Sequence, residues 1–235
     1  MPPDVMSQTT KGIVLKLKKL AIASLVSGAL CLAGAPSQAA LILQLSDGTT
    51  TLNIADGSAL DMNSATGAIT YMGAVGTIWN MNLSMAVGTQ QYAGGYGMDL
   101  FSFNQSNAAG TLRVAMTETG LKYGSGGNTH LVGAIGGTSN GSVAYSMYVD
   151  NSNTAFGTET TVFSGTGGAP FFGQAGGADK DLAGTFSMTM VVDIVHTRMG
   201  QTSFDFEGKV PEPASLALFG LGLLGFGLAR RRNTA

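Results

Sequence analysis

Residues 40–209 predict an all-β domain, an antiparallel two-layer β-sandwich with a jelly-roll-like character. Three observations predict it. Apolar residues recur at every second position in several separate runs, the signature of strands with one face on a core and one in water. Gly- and Asn-containing dipeptides that favour turns punctuate those runs. The intervening composition is Gly, Ser, Thr, Asn and Ala, with few charges and no long helical pattern.

The elements follow in order. A first strand covers Leu41–Leu45 and is closed by Asp47-Gly48, with Asp56-Gly57 marking a second turn. Trp79, Met81, Leu83, Met85 and Val87 alternate with Asn80, Asn82, Ser84 and Ala86, which predicts one apolar face for the whole run. Gly94-Gly95 ends it. Leu112, Val114 and Met116 repeat the pattern, then Gly126-Gly127 and Asn140-Gly141 bracket another segment. Val143, Tyr145, Met147 and Val149 form the next apolar face, with Tyr148 pointing the other way. Gly165–Gly177 is glycine-rich and reads as a long surface loop, and Phe171-Phe172 within it argues that the loop is docked rather than a flexible linker. Met188, Met190, Val192, Ile194 and His196 face away from Ser187, Thr189, Val191, Asp193 and Val195. Phe204 and Phe206 lie in a last strand, Thr202–Lys209. About ten strands at this spacing fit a sandwich better than a barrel. No repeat period or linker divides the domain.

Charge narrows the partners. Between residues 40 and 210 the basic residues are Arg113, Lys122, Lys180, Arg198 and Lys209, against twelve acids, a net of −7. That sign disfavours nucleic acid and anionic membrane surfaces. The single cysteine, Cys31, lies before the domain, so the domain has no disulfide, thiol nucleophile or thiolate metal site. Leu30 stands where a lipoprotein box needs a small residue, which argues against lipidation of Cys31.

Both ends read as processing signals. Lys11, Lys16, Lys18 and Lys19 precede an apolar run from Leu20 to Ala33, and Ala35-Pro36-Ser37-Gln38-Ala39-Ala40 follows with small residues. This is the layout of a secretory signal peptide, 1–39, cut between Ala39 and Ala40. Met6 is an alternative start. At the other end Val210-Pro211-Glu212-Pro213 precedes an apolar stretch, Ala214 to Ala229, and then Arg230-Arg231-Arg232. As a helix the stretch is about 24 Å long, somewhat short of the ~30 Å hydrocarbon core. The arginines stay cytoplasmic by the positive-inside rule, as do the lysines of the leader, so the residues between the two apolar segments lie outside the inner membrane. The prolines keep an extended joint beside the bilayer, accessible to a processing enzyme.

At these residues the tail, 210–235, resembles the PEP-CTERM sorting signal of Gram-negative bacteria: a Pro-Glu-Pro motif at Pro211, Glu212 and Pro213, a Gly- and Leu-rich span, and an Arg cluster at Arg230, Arg231 and Arg232. The resemblance implies handling and removal of the tail by an exosortase, a membrane cysteine transpeptidase. It also implies an association with extracellular polysaccharide and biofilm. It covers the tail alone.

Within the domain no motif assembles catalytic chemistry. His130 and His196 have no metal-ligand spacing, and an isolated histidine at a strand end is usually structural. No nucleophile elbow, phosphate loop or dinucleotide fingerprint occurs. A glycosidase needs two carboxylates across a cleft. Asp99, Glu118, Asp150, Glu159, Asp193 and Glu207 are candidates, but they are scattered, and Asp193, Asp205 and Glu207 fall on solvent faces. Asp56, Asp61, Asp179 and Asp181 carry oxygens a Ca²⁺ would accept, without matching an EF-hand loop or a calcium-binding nonapeptide. Tyr92, Tyr96, Tyr123 and Tyr148 are available to stack on sugar rings.

No catalytic residue, cofactor or metal is therefore assigned. The expectation is an exported, non-enzymatic cell-surface or matrix protein whose partners are the translocon, signal peptidase, an exosortase, transiently the inner membrane, and extracellular polysaccharide. The alternatives are a carbohydrate-binding module and a polysaccharide hydrolase or lyase.

Overall fold

A computed structural model describes residues 40–89, 96–122, 127–182 and 184–210. The signal segment, the sorting tail with its predicted apolar helices, and Tyr92 and Tyr123 lie outside these residues, and of Tyr96 only the backbone is described. Among the described residues no helix is long and apolar enough to cross a membrane.

The described residues form twelve strands, against about ten that the pattern predicts: β1 (Ala40–Ser46), β2 (Thr51–Ala55), β3 (Ala68–Val75), β4 (Trp79–Val87), β5 (Tyr96–Ser106), β6 (Gly110–Lys122), β7 (Gly127–Ser139), β8 (Ser142–Asp150), β9 (Thr160–Gly167), β10 (Phe171–Leu182), β11 (Thr185–His196) and β12 (Gly200–Val210). They build two six-stranded antiparallel sheets, ordered β2-β1-β6-β11-β8-β9 and β10-β7-β12-β5-β4-β3. Strand β8 pairs with β9, β7 with β10, β6 with β11 and β5 with β12. These four nested pairs alternate between the sheets, so β5–β12 are one long antiparallel ribbon rolled into a jelly roll. The β1–β2 and β3–β4 hairpins extend one sheet each.

The core is the facing surfaces of the two sheets. Leu43, Val114, Met190, Val192 and Met147 fill one side, and Ile69, Met81, Leu100, Phe204 and Phe206 the other; all are essentially inaccessible. Each such side chain contributes roughly 1.5–3 kcal/mol by leaving water. Phe163 packs edge-on to Phe206, with Tyr145 beside both.

Two expectations are corrected. The segment 165–177 is not a surface loop: its residues belong to β9 and β10, joined by a short turn. Its glycines make room for aromatic rings, since a Cβ at Gly176 would come within 3.0 Å of Phe163, and one at Gly167 would overlap Phe172. Nor does β4 keep one apolar face. A bulge between Met81 and Leu83 inserts one extra residue and reverses the alternation. Trp79, Met81, Ser84 and Ala86 are buried, while Leu83, Met85 and Val87 lie half-buried on the outer face.

Candidate functional site

One end of the sandwich collects six connections: the β1–β2, β3–β4 and β9–β10 turns, and the corners that carry β5 into β6, β7 into β8 and β11 into β12. Sequence puts turn-forming residues there, among them Asn107, Asn140-Gly141 and Gly200. Between these connections lies a cleft of about 640 Å³, within the size range of small-ligand sites.

The cleft is lined by neutral amides. Asn80, Gln105, Asn107, Asn140 and Gln201 face it, with no charged side chain in its wall. Ile78 and Met199 add apolar surface, Met199 being 71% exposed. Two amides are fixed by backbone bonds. Asn107 donates from Nδ2 to the Thr77 carbonyl at 3.2 Å. Asn140 Oδ1 accepts from Gln201 N at 2.8 Å, and Asn140 N donates to the Gln201 carbonyl at 2.9 Å. Neither arrangement uses Asn107 Oδ1 or Asn140 Nδ2, so each amide keeps a polar group for a ligand.

Beneath the cleft runs a buried polar network. His196, 2% exposed, hydrogen-bonds through Nδ1 to Ser106 Oγ at 2.8 Å and through Nε2 to Thr202 Oγ1 at 2.9 Å. Thr202 Oγ1 continues to Ser139 Oγ at 2.7 Å, whose oxygen accepts from Gly141 N at 3.0 Å. The ring of Trp79 lies over the imidazole at 4.8 Å between centroids. Burial holds the His196 pKa below its ordinary value, so the ring is neutral. It supports the cleft floor from below and is inaccessible to a substrate.

The other sequence candidates are placed elsewhere. Exposed His130 pairs with Asp179 Oδ1 at 2.7 Å across the β7–β10 ladder. Tyr148 is half-buried on the outer face of the first sheet, away from the cleft. Asp61 turns its oxygens to the backbone N–H groups of Gly57, Asn63 and Thr70, and Asp56 Oδ2 accepts from Gly67 N. Asp193 is held by Arg113 through two bonds of 2.8 and 2.9 Å. Buried Glu118 accepts both the N–H and the hydroxyl of Thr89, each at 2.8 Å, and burial raises its pKa. Asp150 and Glu159 accept from the N–H groups of Ser152 and Asn151 in the β8–β9 loop.

Three carboxylates do converge, on the outer face of the second sheet. Asp99 on β5 stands directly opposite Glu207 on β12, with Asp205 one alternate position along. Partial burial, together with a hydrogen bond and repulsion from Asp205, pushes the Asp99 pKa up to about 7.

Of the five amides, the sequence singles out Asn140, at a predicted turn, and Asn80, on the polar face of a predicted strand; nothing in it marks Gln105, Asn107 or Gln201. Their convergence depends on which strand ends the jelly roll brings together.

Fold and cleft thus define an antiparallel jelly-roll domain with a polar, uncharged end cleft. The model of the PEP-CTERM protein-sorting motif matches residues 209–232, so the domain carries an exosortase sorting tail and belongs to an exported protein. No curated protein matches the chain. Among solved structures, TmCBM61 in complex with β-1,4-galactotriose is 9% identical over 51% of this chain and 73% of its own, with a TM-score of 0.30. The K1 cleaved adhesin domain of Lys-gingipain from Porphyromonas gingivalis is 12% identical over 65% and 96%, with a TM-score of 0.31. The C-terminal CBM6 of LamC from Zobellia galactanivorans is 12% identical over 54% and 98%, with a TM-score of 0.26. At these scores no ligand or residue role is transferred from them.

Proposed function

We propose that this is a non-enzymatic exported protein of the cell surface or extracellular matrix, which holds a neutral polysaccharide in the end cleft. The observation that carries the proposal is the lining: five amides, apolar patches and no charge. An amide offers a donor and an acceptor side by side, which matches the paired hydroxyls of a sugar, while apolar side chains suit its C–H faces. The sorting tail supports export; release to the surface and a place in biofilm polysaccharide belong to the proposal. The test is retention of the full chain, purified in detergent, on immobilised neutral and acidic polysaccharides. Neutral polymers should retain it, and Gln105→Ala with Gln201→Ala should lower affinity at least tenfold. Passage through every neutral polymer without retention would remove the proposal.

A second reading, a polysaccharide hydrolase, is favoured by Asp99 and Glu207. Directly opposed cross-strand residues lie roughly 5 Å apart at Cβ, compatible with the carboxyl separation of retaining glycosidases. A carboxyl that keeps its proton near neutral pH suits a general acid. Polysaccharide turnover by the wild type, abolished by Asp99→Asn, would favour it over the binding role.

A further inference from the structure

A second cleft, of about 370 Å³, opens at the same end and shares its wall with the first, the segment Gly76–Trp79. That wall is a fixed ridge. Asn107 N donates to the Ile78 carbonyl at 3.0 Å and Asn107 Nδ2 to Thr77 O at 3.2 Å. Gly76, at φ +61°, lies against the Asp47 carboxylate so closely that a Cβ would overlap Oδ2. A ridge tied on both sides keeps its shape without ligand, which limits the ordering cost of binding.

The second cleft continues the polar character of the first with different groups. Asp47, Thr49, Thr50 and Thr111 line it. The N–H groups of Thr50 and Thr49 donate to Asp47 Oδ1 at 2.6 and 2.9 Å and hold its pKa below the ordinary carboxylate value. Asp47 is therefore an anionic acceptor for ligand hydroxyls. At the shared wall the indole N–H of Trp79 is buried without a partner, 3.3 Å from where a Gly110 Cβ would stand. Unsatisfied buried donors are rare and often mark functional ground.

We propose that the two clefts form one groove, which holds an internal stretch of an uncharged polysaccharide lying across the Gly76–Ile78 ridge. The proposal rests on the polysaccharide-binding role above and adds the mode of binding: several sugar units, mid-chain, with acidic sugars disfavoured by Asp47 and by the acidic surface.

The test titrates the full chain in detergent with neutral glucose- and galactose-based oligosaccharides of two to eight units, α- and β-linked, and with uronate oligosaccharides of the same lengths. Affinity for the preferred neutral series should rise at least tenfold from two units to six and exceed that for uronates. Thr49→Trp, at an exposed turn position, should fill the second cleft. It should remove that length-dependent gain; Thr111→Trp is the parallel variant if the first alters the unfolding midpoint. Binding with no length dependence, tighter binding of uronates, or a gain that survives both variants overturns the groove and leaves the single-cleft role standing. Failure to bind any neutral oligosaccharide or polymer removes both.

Discussion

At the scale of single residues, His196 and Asp99 give the domain opposite responses to pH. Both ring nitrogens of His196 are engaged inside the protein and burial lowers its pKa. The unfolded chain therefore binds a proton more readily, and His196 costs stability as pH falls through and below about 6.5. Asp99 works the other way. Its pKa rises from 3.8 to about 7 on folding, so the folded state holds the extra proton, and stability is lost as pH rises between those values. Asp99 is only half-buried, so after solvent screening the effect at pH 8 is about 1–2 kcal/mol. Asp99→Asn should stabilise the domain at pH 8, leave it little changed near pH 4, and flatten that part of the profile. Urea unfolding at both pH values measures it, and equal stabilisation at both would refute the assignment. His196→Ala should cost about 2–4 kcal/mol at neutral pH, because it opens a cavity under Trp79 and leaves the Ser106 and Thr202 hydroxyls short of a partner. The same variant should lose the acid-side decline.

At the scale of elements, the β7–β8 corner shows how tightly the site end is built. Gly141 sits on the end of β11, where a Cβ would overlap the Val195 carbonyl and come within 2.8 Å of the His196 ring. Gly141→Ala should destabilise by about 2–3 kcal/mol, since the obstacle is backbone. Ser142→Ala, exposed one residue later, should stay within about 0.5 kcal/mol. Thermal unfolding of the two variants is the comparison; equal midpoints would mean the corner gives way. Asn140-Gly141 was legible as a turn, but not as a crossing between sheets, because turn chemistry does not encode which sheet the next strand joins. The apolar faces of β6, β8, β11 and β12 were legible because their alternation runs unbroken from Leu112, Val143, Met188 and Phe204. Two features were not. In β10 glycine lowers intrinsic strand preference while Gly176 serves as a seat for Phe163 of β9, a gain visible only across strands. In β4 the bulge keeps the letters alternating while the faces exchange. Thr117, Ser187 and Thr189 are buried though on an outward face; Thr117 Oγ1 accepts from Phe156 N, and the Ser187 hydroxyl donates to the Thr154 carbonyl of the β8–β9 loop.

At the scale of the whole molecule, the two predicted processing points meet the fold at its first and last strands. Ala40, the first residue after the predicted signal cleavage, opens β1 opposite Thr119 of β6. Val210, buried, closes β12 opposite Tyr96, and Pro211 follows, a residue that cannot donate to a ladder. Cleavage between Ala39 and Ala40 and within Pro211–Pro213 would therefore leave every described ladder intact, whereas a cut inside β12 would remove the partner of both β5 and β7. The exported species should accordingly have an intact mass running from Ala40 to within Pro211–Pro213. Its thermal midpoint should match that of the full chain in detergent, within the ~2 °C that about 0.5 kcal/mol represents for a domain of this size. A species that keeps Ala214–Ala235 in the inner-membrane fraction would make the tail a lasting anchor. Under the proposed binding role, the end cleft would then take up polysaccharide beside that membrane rather than in the matrix.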